Sequence, residues 1–317
     1  SGSVPEIEKP VLNLSTFGSG KFQSATEKYL SDKSGLRAIF IRLRNQLYYT
    51  FFGKIYAQKT VIGKENFLFE KDHIEAHLGL DYLGEKEISQ SIEHLSYLKT
   101  ILSQKKIPLL VILAPGKASY YPEYISDLFQ SQKKEASNYT EFKKKLQIEK
   151  FDFIDYIEWM KTLDGTQKTI YYPKGGTHWS HYTASLAMLV LSAKVSSMLG
   201  KETDNIKIED GEIAILPYYD LDSDIFNSLN LLWSKPFGRY RKPVITIKDE
   251  VVRKPNALII GDSFYFTLSA TTIPEKIFSK NSTFRYYDKM EYSIDGAIHK
   301  TINDFNIETE IFSRDII

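Results

Sequence analysis

The sequence predicts an α/β fold, a mostly parallel sheet flanked by helices, and three observations carry that prediction. First, short and uninterrupted apolar runs recur: Pro108-Leu109-Leu110-Val111-Ile112-Leu113, Phe151 to Tyr156, Ala257-Leu258-Ile259-Ile260 and, less apolar, Thr283 to Tyr287. A run that is apolar at successive positions suits a strand buried on both faces. Second, helical periodicity separates them. Ile88, Ile92, Leu95, Leu98 and Leu102 share one helical face directly ahead of the first run. Strands alternating with helices imply a sheet covered on both sides. Third, the runs empty into loops rich in Gly and polar residues: Leu113-Ala114-Pro115-Gly116-Lys117 and Gly261-Asp262-Ser263-Phe264. In such sheets reactive residues gather beyond the carboxyl ends of the strands.

The remaining elements follow in order. Residues 1–35 are rich in Ser, Gly, Lys and Glu without a sustained period and read as a leader or linker. Residues 36–57 read as an amphipathic helix or helix pair, and Val61 to Phe69 as a hairpin or short strand with a central turn. The expected division is therefore a leader and helical segment over 1–60 and one α/β domain over 61–317. The most apolar stretch, Leu186 to Leu199, is interrupted by Lys194 and serines, so neither a signal peptide nor a membrane span is expected within these residues. The opening Ser1-Gly2-Ser3 reads as a cloning remnant, which makes that absence weak evidence about a natural signal or anchor.

Composition narrows the chemistry. Forty-one Lys+Arg against 40 Asp+Glu leave no basic field, so nucleic acid is a poor partner. Lys143-Lys144-Lys145 reads as a solvated helix face. No cysteine is present, which excludes disulfides, thiolate metal sites and a Cys nucleophile. The 21 Tyr and 19 Phe suit either sugar-binding surfaces or core packing.

Two motifs could carry chemistry. Gly261 permits a tight turn after a buried strand, and Ser263 then stands at the start of a helix. A Ser there is placed to attack an acyl carbon if a base is near, with backbone N–H groups to hold an oxyanion. The same tetrapeptide also serves as a plain helix cap. In Gly176-Thr177-His178-Trp179-Ser180, ahead of an apolar helix, His178 is a candidate base, or else a His packed on Trp179. His181, nearer the helix, reads as a cap. His94 and His299 read as structural or solvated. His73 and His77 are spaced like a metal pair, but no third ligand follows at a recognised spacing. No metal and no cofactor are expected.

Four segments in this order resemble the alginate O-acetyltransferase family of the AlgJ and AlgX type: Gly63 to Phe69, Ala114 to Glu123, Gly176 to Ala184 and Gly261 to Phe264. The resemblance implies an SGNH-hydrolase-like acetyltransferase domain with its motif order rearranged, the His motif before the Ser motif. It implies Ser263 as nucleophile and His178 as general base. It implies work outside the cytoplasm, in the periplasm or beyond it, with a membrane anchor in the full-length protein. The acetyl groups would come through a membrane-bound O-acyltransferase partner and pass to a polysaccharide acceptor.

One departure stands out. The family commonly has an acid two residues before this His, and Gly176 occupies that place. Three readings stay open, a relocated acid, a catalytic dyad or a non-catalytic polysaccharide-binding subunit, and a relocated acid is favoured. The place to look is Asp220-Leu221-Asp222-Ser223-Asp224, with Asp224 or Asp222 as partner to His178. That run also mimics a calcium loop, but Ile225 and Leu231 stand where Gly and Glu belong. Asp262 is expected to be structural, with its side chain turned from Ser263. Trp179, Tyr182, Phe264 and Tyr265 are the expected walls of an acceptor cleft, and Lys117 joins them as a substrate-binding candidate. An acetylesterase with the same site is the remaining alternative.

Overall fold

The computed structural model describes residues 9–33, 36–57, 59–201, 205–233, 238–248, 253–287, 289–296, 299–302 and 306–317. The chain divides into two compact units, one of residues 1–58 with 227–235 and one of residues 59–226 with 236–317.

The first unit is helical. The stretch read as a leader contains helices Leu14–Gly18 and Lys21–Lys33. The local reason is a capping box: Asn13 Oδ1 accepts from Thr16 N, and Thr16 Oγ1 accepts from Asn13 N. Leu36–Phe52 forms a single helix, not a pair. Asn45 Nδ2 on it donates to the Leu229 carbonyl at 3.1 Å, and Arg42 Nε to Asn230 Oδ1 at 3.0 Å. Residues 1–8 and 34–35 of the expected leader lie outside the described residues.

The second unit holds the strands. β1 (Thr60–Ile62) and β2 (Leu68–Glu70) form the expected hairpin. β3 (Leu110–Leu113) pairs in parallel with β4 (Asp152–Asp155). β5 (Asn205–Ala214) and β6 (Tyr240–Lys248) form an antiparallel pair with an irregularity between Asp210 and Ile213. β7 (Leu258–Gly261) pairs in parallel with β8 (Thr283–Tyr286). β9 (Met290–Ser293) and β10 (His299–Thr301) extend that sheet antiparallel, in the order β10-β9-β8-β7.

The architecture is thus α/β, but the sheets are small and mixed: parallel pairing joins β3 to β4 and β7 to β8, with one isolated parallel bridge between Ala257 and Ile316 among the described residues. The departure from a mostly parallel sheet has a local cause. β8 ends at Tyr286 and β9 begins at Met290, too short a link for the crossover that parallel pairing needs. Nor are the apolar strands buried throughout: Ile112 is 37% exposed and Ile260 56%.

The helix His181–Leu199 is the centre of the core. By length and composition it could cross a membrane, but Ala184, Ala187, Met188, Leu191 and Val195 are buried against Tyr156, Trp179 and Leu268 within this unit. Tyr156 donates its hydroxyl to the Ala187 carbonyl at 2.7 Å. The helix starts where Ser180 Oγ accepts from Thr183 N and stops at Gly200, whose φ of 60° is a left-handed stop that suits glycine.

Candidate active site

Ser263 lies at the turn between β7 and the helix Phe264–Ser269. Its hydroxyl does not cap that helix. Asp262 does the local work instead, its Oδ1 accepting from Phe264 N at 3.0 Å. Asp262 therefore braces the turn, and Ser263 Oγ is left to meet His178 Nε2 at 3.0 Å. The His178 ring neither caps a helix nor lies flat on Trp179. Its other nitrogen, Nδ1, stands 3.2 Å from Asp224 Oδ2, and the edge of Phe264 packs on it at 4.8 Å. Asp224, His178 and Ser263 thus form one line of side chains. The His178 side chain is 9% exposed and that of Asp224 28%, so the line is shielded on the imidazole and wetter at the acid.

Asp224 is held from both sides. Its Oδ1 accepts from Thr177 N and from Ile225 N, each at 2.7 Å. Charge-assisted bonds of this kind are short and strong, and they aim the second oxygen at the ring. The neighbouring Phe226 N donates to the Gly175 carbonyl at 3.0 Å, stitching the acid-bearing turn to the His loop. Gly176 explains how the turn comes so near. A Cβ at this position would stand 3.0 Å from the Asp222 carbonyl oxygen and 3.3 Å from that of Leu221. The residue that lacks an acid is the residue that lets the acid-bearing turn pack against the loop.

Asp222, the other candidate acid, meets a different partner. It is buried, and its Oδ1 accepts from His181 N at 2.9 Å at the start of the core helix. Burial pushes its carboxyl up to about 7, against the opposing pull of that N–H. His181 stacks on Tyr219 with ring centroids 3.6 Å apart, and burial lowers its imidazole to about 4.

The expected walls separate in the same way. Phe264 touches the His178 ring. Trp179 is buried, donating Nε1 to Thr267 Oγ1 at 2.6 Å, which ties the His loop to the helix after Ser263. Tyr182 donates to Asp210 Oδ1 at 2.5 Å, stacks on Tyr171 and lies under Arg241. Tyr265 is buried against Phe284. Lys117 is fully buried, and its Nζ donates to the carbonyls of Lys174 and Gly176 at 2.7 and 2.8 Å, underneath the His loop. Burial holds that ammonium well below the usual lysine range, with the Asp224 carboxylate opposing.

Sequence reasoning missed the second circle of this loop. Thr177 Oγ1 donates to Glu70 Oε1 at 3.2 Å, Tyr172 Oη lies 2.6 Å from the Thr177 carbonyl, and Leu68 N donates to the Lys174 carbonyl at 3.0 Å. Only the Gly pair at 175–176 hinted at such close packing. His73 and His77 stay apart from any ligand set, and among the described residues no group of three or more His, Asp or Glu is placed to hold a metal.

Ser263, His178 and Asp224 are thus hydrogen-bonded in series on an α/β scaffold, an arrangement of the kind that serine acyl-transfer and hydrolase sites use. The chain belongs to the family described as SGNH hydrolase-like domain, acetyltransferase AlgX, whose model matches residues 60–228. His178 and Asp224 fall inside the matched residues and Ser263 beyond them. Among solved structures the chain is similar to the O-acetyltransferase domain of Pseudomonas putida AlgJ, at 18% identity and a TM-score of 0.44, over 72% of this chain and 78% of that one. Bacillus cereus PatB1 is similar at 11% identity and 0.44, over 73% and 90%. Pseudomonas aeruginosa AlgX is similar at 12% identity and 0.46, over 72% of this chain and 54% of that one. No curated protein matches the chain in sequence.

Proposed function

We propose that this protein transfers acetyl groups to polysaccharide hydroxyls through an acetyl-Ser263 intermediate. The observation that carries the reading is His178 standing between two partners, with Nε2 3.0 Å from Ser263 Oγ and Nδ1 3.2 Å from Asp224 Oδ2. Asp224 Oδ2 accepts a hydrogen bond from His178 Nδ1–H, which keeps the proton on Nδ1 and leaves Nε2 free to act as base. His178 takes the Ser263 proton as Oγ attacks the acetyl carbonyl. The tetrahedral intermediate collapses, and the imidazolium returns its proton to the departing donor group. His178 then removes a proton from a sugar hydroxyl, which attacks the acetyl-serine to form the new ester, and the imidazolium returns that proton to Ser263 Oγ as the acyl C–O bond to the serine breaks. The Phe264 N–H is taken by Asp262, leaving the Ser263 N–H as the donor nearest the nucleophile for the oxyanion. Phe264 is the wall residue of this cleft, since it packs on the base.

An extracytoplasmic setting, a membrane-bound O-acyltransferase as supplier of acetyl groups and an anchored full-length protein are parts of the same proposal, resting on the motif resemblance of Gly63 to Phe69, Ala114 to Glu123, Gly176 to Ala184 and Gly261 to Phe264. A non-catalytic subunit was an alternative because of Gly176, and the Asp224 carboxylate beside His178 weighs against it.

The test is intact-protein mass spectrometry after brief incubation with an activated acetyl ester, run on wild type, S263A, H178A and D224N. An acetyl adduct mapped to Ser263, absent from S263A and H178A and much slower in D224N, is the expected result. Equal labelling of all four proteins, or none with several donors, would overturn the reading. Acetyl appearing on a glycan acceptor separates the transferase from an esterase, which would release acetate alone.

A further inference from the structure

The peptide unit between Gly176 and Thr177 is gripped from both ends. Its carbonyl oxygen, on Gly176, accepts from Lys117 Nζ at 2.8 Å, and its N–H, on Thr177, donates to Asp224 Oδ1 at 2.7 Å. In a trans peptide the C=O and N–H point in opposite directions, so the buried amine and the Asp224 carboxylate stand on opposite sides of one rigid plane. Lys117 Nζ also donates to the Lys174 carbonyl at 2.7 Å. Two hydrogen bonds are what even an uncharged amine can donate, so the arrangement holds in either protonation state. The other surroundings of the amine are aromatic. Nζ lies 5.5 Å from the ring centre of Phe69, 5.9 Å from that of Tyr172 and 6.0 Å from that of Phe67. What the buried amine adds over an apolar side chain of the same length is its hold on two carbonyls.

The peptide needs such a hold because of the glycine beside it. Gly176 must lack a Cβ, since the Asp222 carbonyl oxygen would stand 3.0 Å from one. Glycine also resists rotation of the adjoining peptide less than any other residue. The residue that admits the acid-bearing turn therefore leaves the peptide that must point at the acid free to turn. A turned peptide would set a carbonyl oxygen against the carboxylate and take the Thr177 N–H away from it.

We propose that Lys117 is a positioning residue for this site. By holding the Gly176 and Lys174 carbonyls it locks the Gly176–Thr177 peptide, so that the Thr177 N–H stays on Asp224 Oδ1 and Oδ2 stays on the His178 ring. Without the amine, two carbonyls lose their donor and turn to find others, and the Thr177 N–H moves with them. Lys117 thus acts through Asp224 and not on the substrate. Its consequence for turnover rests on the acyl-transfer reading above; the lock itself does not.

The test uses the full chain as wild type, K117M and K117Q. K117M removes the donors and keeps the length of the side chain. K117Q keeps two N–H groups on a chain one atom shorter, and either variant that retains a cooperative melt decides the matter. In K117M, hydrogen exchange at the Thr177 amide should quicken by about tenfold or more, and the low-field proton resonance of His178 Nδ1–H should move upfield or vanish. With an acetyl donor and a glycan acceptor, kcat should fall by about 10²-fold with KM nearly unchanged, and K117Q should lie between K117M and wild type. A folded variant in which Thr177 exchange and the His178 resonance match wild type overturns the proposal, whatever happens to kcat. So does a raised KM with kcat unchanged, which assigns the amine to substrate binding, and so does a Thr177 amide that exchanges freely in wild type. The exchange and resonance readouts need no substrate. Wild type inactive on every donor and acceptor would overturn the acyl-transfer reading, and these two signals would still decide the lock.

Discussion

At the residue scale the Asp224 carboxylate has two duties, one oxygen on the Thr177 and Ile225 amides and the other toward the His178 ring. D224N keeps the size of the side chain but removes the charge and permits the wrong imidazole tautomer. We expect kcat to fall by about 10³–10⁴, the scale seen when a triad acid is neutralised, while the melting temperature changes little; steady-state kinetics with thermal denaturation checks both. Asp222, two residues away, should behave differently. Its folded-state carboxyl sits near 7, above its ordinary value of 3.8. Between those values the folded chain keeps a proton that the unfolded chain has released, so Asp222 lowers stability as pH rises from about 4 to about 7. His181, lowered from 6.5 to about 4, acts in the opposite sense as pH falls through that range. Asn at 222 retains an oxygen for His181 N and does not ionise. The stability difference between D222N and wild type, followed by urea unfolding, should therefore grow in favour of D222N from pH 4 to 7; a flat difference would remove the burial argument.

At the element scale the site depends on how three loops are pressed together. Asp262 caps the helix after Ser263, Gly176 admits the turn carrying Asp224, and Trp179 joins the His loop to Thr267. G176A should push the Asp222 carbonyl away by a few tenths of an ångström and draw Asp224 off the imidazole. The expected signature is a loss in kcat larger than the loss in stability, read from kinetics and thermal melts on the same preparation. T267V removes the acceptor of the buried Trp179 N–H and should cost about 1–3 kcal/mol, measurable by chemical denaturation.

At the scale of the whole molecule, the helix His181–Leu199 organises the second unit. Its apolar surface is continuous because it is packed around much of its circumference, which is also why it resembles a membrane span in composition. Met188 is fully buried there. M188A should cost about 2–5 kcal/mol by leaving a cavity, and the denaturant midpoint of the cooperative transition reports it.

The apolar runs, the helical periodicity and the Gly-Asp-Ser and Gly-Thr-His motifs were sufficient to read an α/β chain with Ser263 and His178 as candidates, because burial and tight turns leave local signatures in residue type. The segment 220–224 was legible as a place to seek an acid, but not which Asp would meet the imidazole. Asp222 and Asp224 differ by two positions on a tight turn, and their directions depend on the Thr177 and His181 amides that receive them. Lys117, Tyr182 and Tyr265 look like site residues in the sequence and are spent on loop support, an Asp210 pair and core packing. Pairing across distant segments decided the rest: the small mixed sheets and the passage of the Asp-bearing turn over a glycine without a Cβ. Strand partners and carbonyl contacts at long range are set by the summed packing of many residues, and no local pattern of residue types encodes them.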